Sequence, residues 1–263
     1  MDLTRFYARA GERPLEVIPE DGGFAGIFRT IGCIGDSLSS GEFESFEEGS
    51  RGYHDMFEYS WGQYLGRMIG SKVYNFSRGG MTAREYCRTF AEANGFWNPD
   101  LWCQGYLVAL GVNDIVNDNQ PVGTVDDIKE DWRNNEPTFA GWYGQILQRY
   151  REIEPRCRFF LVTMLHEESE SFNAKTDAHA KLLYDIAERF PYTYVIDLAK
   201  YGPRIDAEYR RNFFMGGHLS PTGYLLTAKM VAAYMDYIIR NNPEDFFQVP
   251  FLHQDCHNEN YKW

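Results

Sequence analysis

The sequence predicts an α/β fold in which one parallel sheet of five strands is covered by helices on both faces. Three observations carry this reading. Five short runs rich in apolar, β-branched or aromatic residues recur along the chain, as buried strands do. Between them lie longer stretches, some with apolar residues at three-and-four spacing, the period of a helix. Alternation of the two favours parallel pairing with helical crossovers. A length of 263 residues with 44% hydrophobic content suits one domain over 1–263 with a single large core.

Residues 1–26 form an N-terminal extension. The first run is Arg29–Gly35 (RTIGCIG), in which Cys33 is expected as a small core residue. A long segment, Ser39–Tyr59, follows it. The second run is Lys72–Phe76 (KVYNF) and the third is Tyr106–Leu110 (YLVAL). A second long segment, Asp114–Thr138, leaves the third run. Both segments depart from carboxyl ends of strands and are placed to wall a pocket. Trp142, Ile146, Tyr150 and Ile153 mark one helix face, which Pro155 ends. The fourth run is Arg158–Met164 (RFFLVTM). The fifth is Tyr192–Leu198 (YTYVIDL), where Asp197 is expected as a buried or edge-capping carboxylate. A last helix starts after Ser220 with Pro221 in its first position, and Tyr224, Ala228, Val231, Met235 and Ile238 mark its face. It stops before Asn241-Asn242-Pro243, leaving a tail over 243–263. In that tail His253-Gln254-Asp255-Cys256-His257 fits no standard zinc spacing, and no metal is expected there.

The formal net charge of -12 argues against nucleic acid and anionic membranes as partners. The opening MDLTRFYARAGERPLEV is charged throughout, and no stretch reaches the roughly 18 consecutive apolar residues of a membrane span. A soluble, cytoplasmic protein is expected. The cysteines Cys33, Cys87, Cys103, Cys157 and Cys256 are odd in number and form no CxxC pair, so no disulfide framework is expected.

In a parallel α/β sheet, ligands bind at the carboxyl ends of the strands. After the first run comes Gly35-Asp36-Ser37-Leu38-Ser39-Ser40-Gly41, which sets a serine at a turn. After the second comes Asn75-Phe76-Ser77-Arg78-Gly79-Gly80-Met81-Thr82, where paired glycines let the backbone approach a ligand closely. After the third comes Gly111-Val112-Asn113-Asp114, whose Asn amide suits an oxyanion or a helix cap. Beyond the fifth comes Gly216-Gly217-His218-Leu219-Ser220-Pro221-Thr222-Gly223-Tyr224. Each signal is modest alone. Their order supplies a nucleophile, oxyanion donors and a base at one edge of the sheet.

These four blocks, GDSLSSG, NFSRGGMT, GVND and GGHLSPTGY, resemble those of the SGNH (GDSL) hydrolases, from Ile31 to Tyr237. The resemblance implies a three-layer, flavodoxin-like α/β/α fold and cofactor-free ester hydrolysis through an acyl-enzyme. It implies Ser37 as nucleophile and His218 as general base. The backbone N–H groups of Ser37 and Gly80 and the side chain of Asn113 would bind the oxyanion. Gly80 is preferred to Gly79 because it stands five after Asn75 and two before Thr82, as in the family pattern.

One position departs from that pattern. The family places an Asp three residues before the His, and here that position is Met215, whose thioether is only a weak acceptor. A Ser–His dyad oriented by a backbone carbonyl or water is expected. A carboxylate from elsewhere, such as Asp206 or Glu208, is the alternative. The stretch Ser39–Trp61 carries Glu42, Glu44, Glu47, Glu48, Asp55 and Glu58 beside Phe43, Phe46, Tyr53, Phe57, Tyr59 and Trp61. It reads as a solvated loop with its aromatics tucked inward. Acids facing a pocket would disfavour anionic substrates, and aromatic faces suit a neutral sugar or a choline-like cation. The expected substrate is a small carboxylic ester, with an acetylated carbohydrate as the candidate. Short acyl chains are expected, because no apolar stretch is positioned to line a long groove. A lysophospholipase or thioesterase is the rival enzyme, and a non-catalytic binding protein on a hydrolase fold is the rival from another class.

Overall fold

The computed structural model describes residues 3–47 and 49–252; Glu48 and the sequence from His253 to His257 lie outside them. Nine strands are described: β1 (Thr30–Gly35), β2 (Glu42–Glu47), β3 (Ser50–Asp55), β4 (Lys72–Ser77), β5 (Gly105–Ala109), β6 (Arg158–Val162), β7 (Thr193–Ile196), β8 (Phe214–Met215) and β9 (His218–Leu219). The central sheet has the order β4-β1-β5-β6-β7, and every pair in it is parallel. All five expected strands are therefore present, with ends displaced by one or two residues. Burial on both faces explains their legibility, since such strands read as nearly continuous apolar runs.

The α-helical segments are α1 (Ser37–Ser40), α2 (Trp61–Ile69), α3 (Ala83–Glu85), α4 (Ala91–Ala93), α5 (Phe139–Ile153), α6 (Glu170–Arg189), α7 (Leu198–Tyr201), α8 (Ala207–Phe213) and α9 (Pro221–Asn241). On one face of the sheet, Leu65 and Ile69 of α2 pack with Ala228, Val231, Met235 and Ile238 of α9. On the other, Tyr143, Ile146 and Tyr150 of α5 pack with Leu183 and Ile186 of α6. The fold is thus three layers, α/β/α. Thr138 caps α5 by accepting from Gly141 N, and Ser220 caps α9 by accepting from Gly223 N, so both helices start where a side-chain oxygen satisfies a free N–H. Asp197 caps α7 in the same way. The N-terminal segment is tied to α9 through Glu12 and Arg240, 2.6 Å apart and buried. Phe246, Val249 and Leu252 are buried in the core, so this part of the tail is packed.

The main departure from expectation lies in the first long segment. It is not a solvated loop. β2 and β3 form an antiparallel hairpin with Glu42 opposite Asp55, Glu44 opposite Tyr53 and Phe46 opposite Arg51. Alternation assigns its two faces. One carries Phe43, buried 5.3 Å from the Tyr224 ring. The other carries Glu42, Glu44, Arg51, Tyr53 and Asp55. Phe43 anchors the hairpin in the core, and the charged face is turned to the carboxyl end of the sheet.

Candidate active site

Asp36 ends the turn after β1 and caps α1, its carboxylate accepting from Leu38 N at 3.1 Å. This makes Ser37 the first residue of a helical turn, half-buried at the carboxyl edge of the sheet. Asp36 itself is buried, which pushes its carboxyl up to about 6.

The loop after β4 brings Gly80 to the same edge with φ +70°, a left-handed conformation that glycine adopts without steric cost. Asn113 follows β5. Its amide donates to Met81 O at 3.1 Å and accepts from Asn117 Nδ2 at 2.8 Å, so one of its two N–H donors is spent on holding the Gly80 loop. Asp114 accepts from Ala83 N at 2.9 Å and ties the same loop from behind. Burial raises the Asp114 carboxyl to about 7.

His218 lies on β9, directly across from Met215 on β8. Met215 is 37% exposed and does not contribute an acceptor. The acceptor is Glu44. Its Oε1 receives His218 Nδ1 at 2.9 Å and the Gly217 backbone N–H at 2.7 Å, and its Oε2 pairs with Arg51 Nε at 3.0 Å. The carboxylate is 1% exposed. Burial opposes its charge, but the hydrogen bonds from His218 and Gly217 and the Arg51 charge outweigh it, holding the carboxyl below its usual range. Gly216 and Gly217 are required here: a Cβ on either would stand 2.3 Å from Oε2 or 2.7 Å from Oε1 of Glu44. The other ring nitrogen, Nε2, lies 3.1 Å from Glu42 Oε1, and Tyr53 stands edge-on to the imidazole at 6.0 Å.

Two expectations are corrected. A backbone carbonyl or water is not what meets His218 Nδ1, because a carboxylate does. That carboxylate is neither Asp206 nor Glu208. Asp206 spends its oxygen capping α8, accepting from Tyr209 N at 2.8 Å, and Glu208 is 77% exposed beside Arg211. Glu44 escaped the sequence reading because it belongs to a segment that looked solvated. Its signal is the alternation Glu42-Phe43-Glu44, the pattern of a half-buried strand.

Ser37, Gly80, Asn113, Glu42 and His218 line one cavity of about 500 Å³. Part of its wall is apolar, with Trp61, Val162, Leu165, Leu198 and Val231. The sequence offers no single apolar stretch placed to line a groove, and this wall is assembled from separate elements. It was invisible in the sequence because its residues come from α2, β6, α7 and α9 and the loop after β6 rather than from one run.

The sequence profile of the GDSL-like Lipase/Acylhydrolase family matches residues 33–226. The chain belongs to this family. A family two carbohydrate esterase from Clostridium thermocellum, solved with cellohexaose, superposes with a TM-score of 0.57 at 14% identity, over 89% of this chain and 66% of that one. A family 3 carbohydrate esterase from the same organism gives 0.52 at 14% identity, over 81% and 98%. A possible lipase from Chitinophaga pinensis gives 0.50 at 18% identity, over 81% and 98%. These likenesses establish the SGNH-type α/β/α fold. No curated protein matches in sequence. As a GDSL-family member the chain is an esterase or acylhydrolase. Among the described residues, no helix is long and apolar enough to cross a membrane.

Proposed function

We propose that this GDSL hydrolase cleaves small carboxylic esters through an acyl-enzyme formed on Ser37. The observation that carries the reading is the carboxylate-held imidazole: Glu44 accepts from His218 Nδ1, which leaves Nε2 to act as a base in the cavity that Ser37 also lines. In this reading His218 takes the Ser37 hydroxyl proton as Oγ attacks the acyl carbon, then passes that proton to the departing alcohol. Water repeats the cycle and releases the acid. The backbone N–H groups of Ser37 and Gly80 and the amide of Asn113 receive the developing oxyanion. Glu44 orients the ring and stabilises the imidazolium, the role the family gives to an Asp at the Met215 position.

A buried carboxylate on His218 argues against the rival non-catalytic binding protein, which rested on the Asp missing at Met215. The exposed ring of Tyr53 beside His218 suits a neutral alcohol such as a carbohydrate, and the surrounding carboxylates disfavour anions. The apolar wall favours a second reading of the acyl side: chains longer than acetyl, as in a lysophospholipase or thioesterase. Ser37→Ala should abolish hydrolysis of p-nitrophenyl acetate while the protein keeps its melting temperature. Wild-type turnover in that variant would remove Ser37 from the mechanism.

A further inference from the structure

His218 meets a carboxylate at each ring nitrogen. Glu44 holds Nδ1, and Glu42 Oε1 lies 3.1 Å from Nε2, the nitrogen that must be bare to accept a proton. The position of Glu42 is built into the site. Its backbone carbonyl accepts from Tyr224 OH at 2.7 Å. Its side chain is 14% exposed. A Cβ on Gly79 would stand 2.0 Å from its Oε2, so the missing side chain of Gly79 makes the room this carboxylate uses. The groups facing Glu42 are Asp36 from the turn after β1, Glu44 on its own strand, Asp55 on β3 and His218 on β9. Arg51 is engaged with Glu44. Burial pushes the Glu42 carboxyl above its ordinary range, and Asp55 and Glu44 push it the same way against the pull of His218.

We propose that Glu42 is a second positioning carboxylate on His218, which favours a proton on Nε2 in the free enzyme and thereby sets the pH at which the base becomes available. The inference rests on the reading of His218 as general base. While Nε2 carries that proton it cannot take another. As pH rises the proton leaves to solvent. Nε2 then accepts the Ser37 hydroxyl proton as the bond from Oγ to the acyl carbon forms, and surrenders it to the leaving alcohol. An opposite charge within about 4–6 Å of a titrating group moves its titration by about one to three units. The partial exposure of this pair sets the expectation at the low end.

The test is the pH profile of kcat/KM for p-nitrophenyl acetate in the wild type and in Glu42→Gln. A second measurement follows the His218 ring by ¹⁵N NMR in the Ser37→Ala protein, with and without Glu42→Gln, assigned by the signals lost in His218→Asn. Removing the charge should move the acid limb down by about one pH unit, and the Nε2 proton should be lost at a correspondingly lower pH in the NMR titration. A ring titration that stays in place when Glu42 loses its charge overturns the proposal, whatever the activity does. A titration that moves in a protein that cleaves no ester keeps the hold of Glu42 on His218 and overturns the esterase reading instead.

Discussion

Asn113 has two jobs in this site. Its amide braces the Gly80 loop through Met81 O, and it lines the cavity beside Ser37. An oxyanion donor acts mainly in the transition state, so Asn113→Ala should lower kcat by about 10²–10³-fold with a much smaller change in KM. Steady-state kinetics on p-nitrophenyl acetate checks this, and a change confined to KM would assign Asn113 to substrate binding. Ser37, Gly80, Asn113 and His218 were legible in the sequence because each stands in a short block directly after, or in order with, a recognisable strand. Glu44 was not. Its partner His218 lies 174 positions away, and nothing local in the sequence ties a glutamate after the first strand to a histidine before the last helix.

At the scale of elements, the same contrast separates the central strands from the hairpin. The strands of the sheet are buried on both faces and announce themselves as apolar runs. β2 opens Glu-Phe-Glu because one face meets the core at Phe43 while the other presents Glu42 and Glu44 to His218, and such a pattern imitates a solvated loop. The turn behind the Gly80 loop offers a test of its own. Burial raises the Asp114 carboxyl to about 7 against an unfolded value of about 3.9. A raised carboxyl contributes stability that is complete below the unfolded value and is lost as pH rises through the folded one. Between pH 4 and 7 this lowers stability by up to about 4 kcal/mol, and Asp36, raised to about 6, acts in the same direction. Asp114→Asn keeps an acceptor for Ala83 N and removes the titration. Urea unfolding at pH 4, 5.5 and 7 should show a shallower fall in the variant than in the wild type. Identical slopes would mean that Asp114 stays ionised across this range.

For the molecule as a whole, the cavity is a property of packing between layers, which a linear pattern does not reveal. Its apolar wall predicts that kcat/KM rises from p-nitrophenyl acetate to the butyrate or hexanoate. A monotonic fall from acetate would mean that the apolar wall is closed to substrate and would favour deacetylation alone. The central claim is that the fold replaces the acid missing at Met215 with one delivered by a hairpin from the far end of the chain. Glu44→Gln preserves the acceptor for Gly217 N but not the charge on His218. In a serine triad, the corresponding Asp→Asn change costs about 10⁴-fold in kcat. The most direct measurement is therefore kcat for p-nitrophenyl acetate in Glu44→Gln beside Asp206→Asn and Glu208→Gln, each with its melting temperature. The account predicts a loss of at least about 10²-fold in Glu44→Gln and less than about tenfold, or roughly 1.4 kcal/mol, in the other two. Near-wild-type turnover in a folded Glu44→Gln would contradict it.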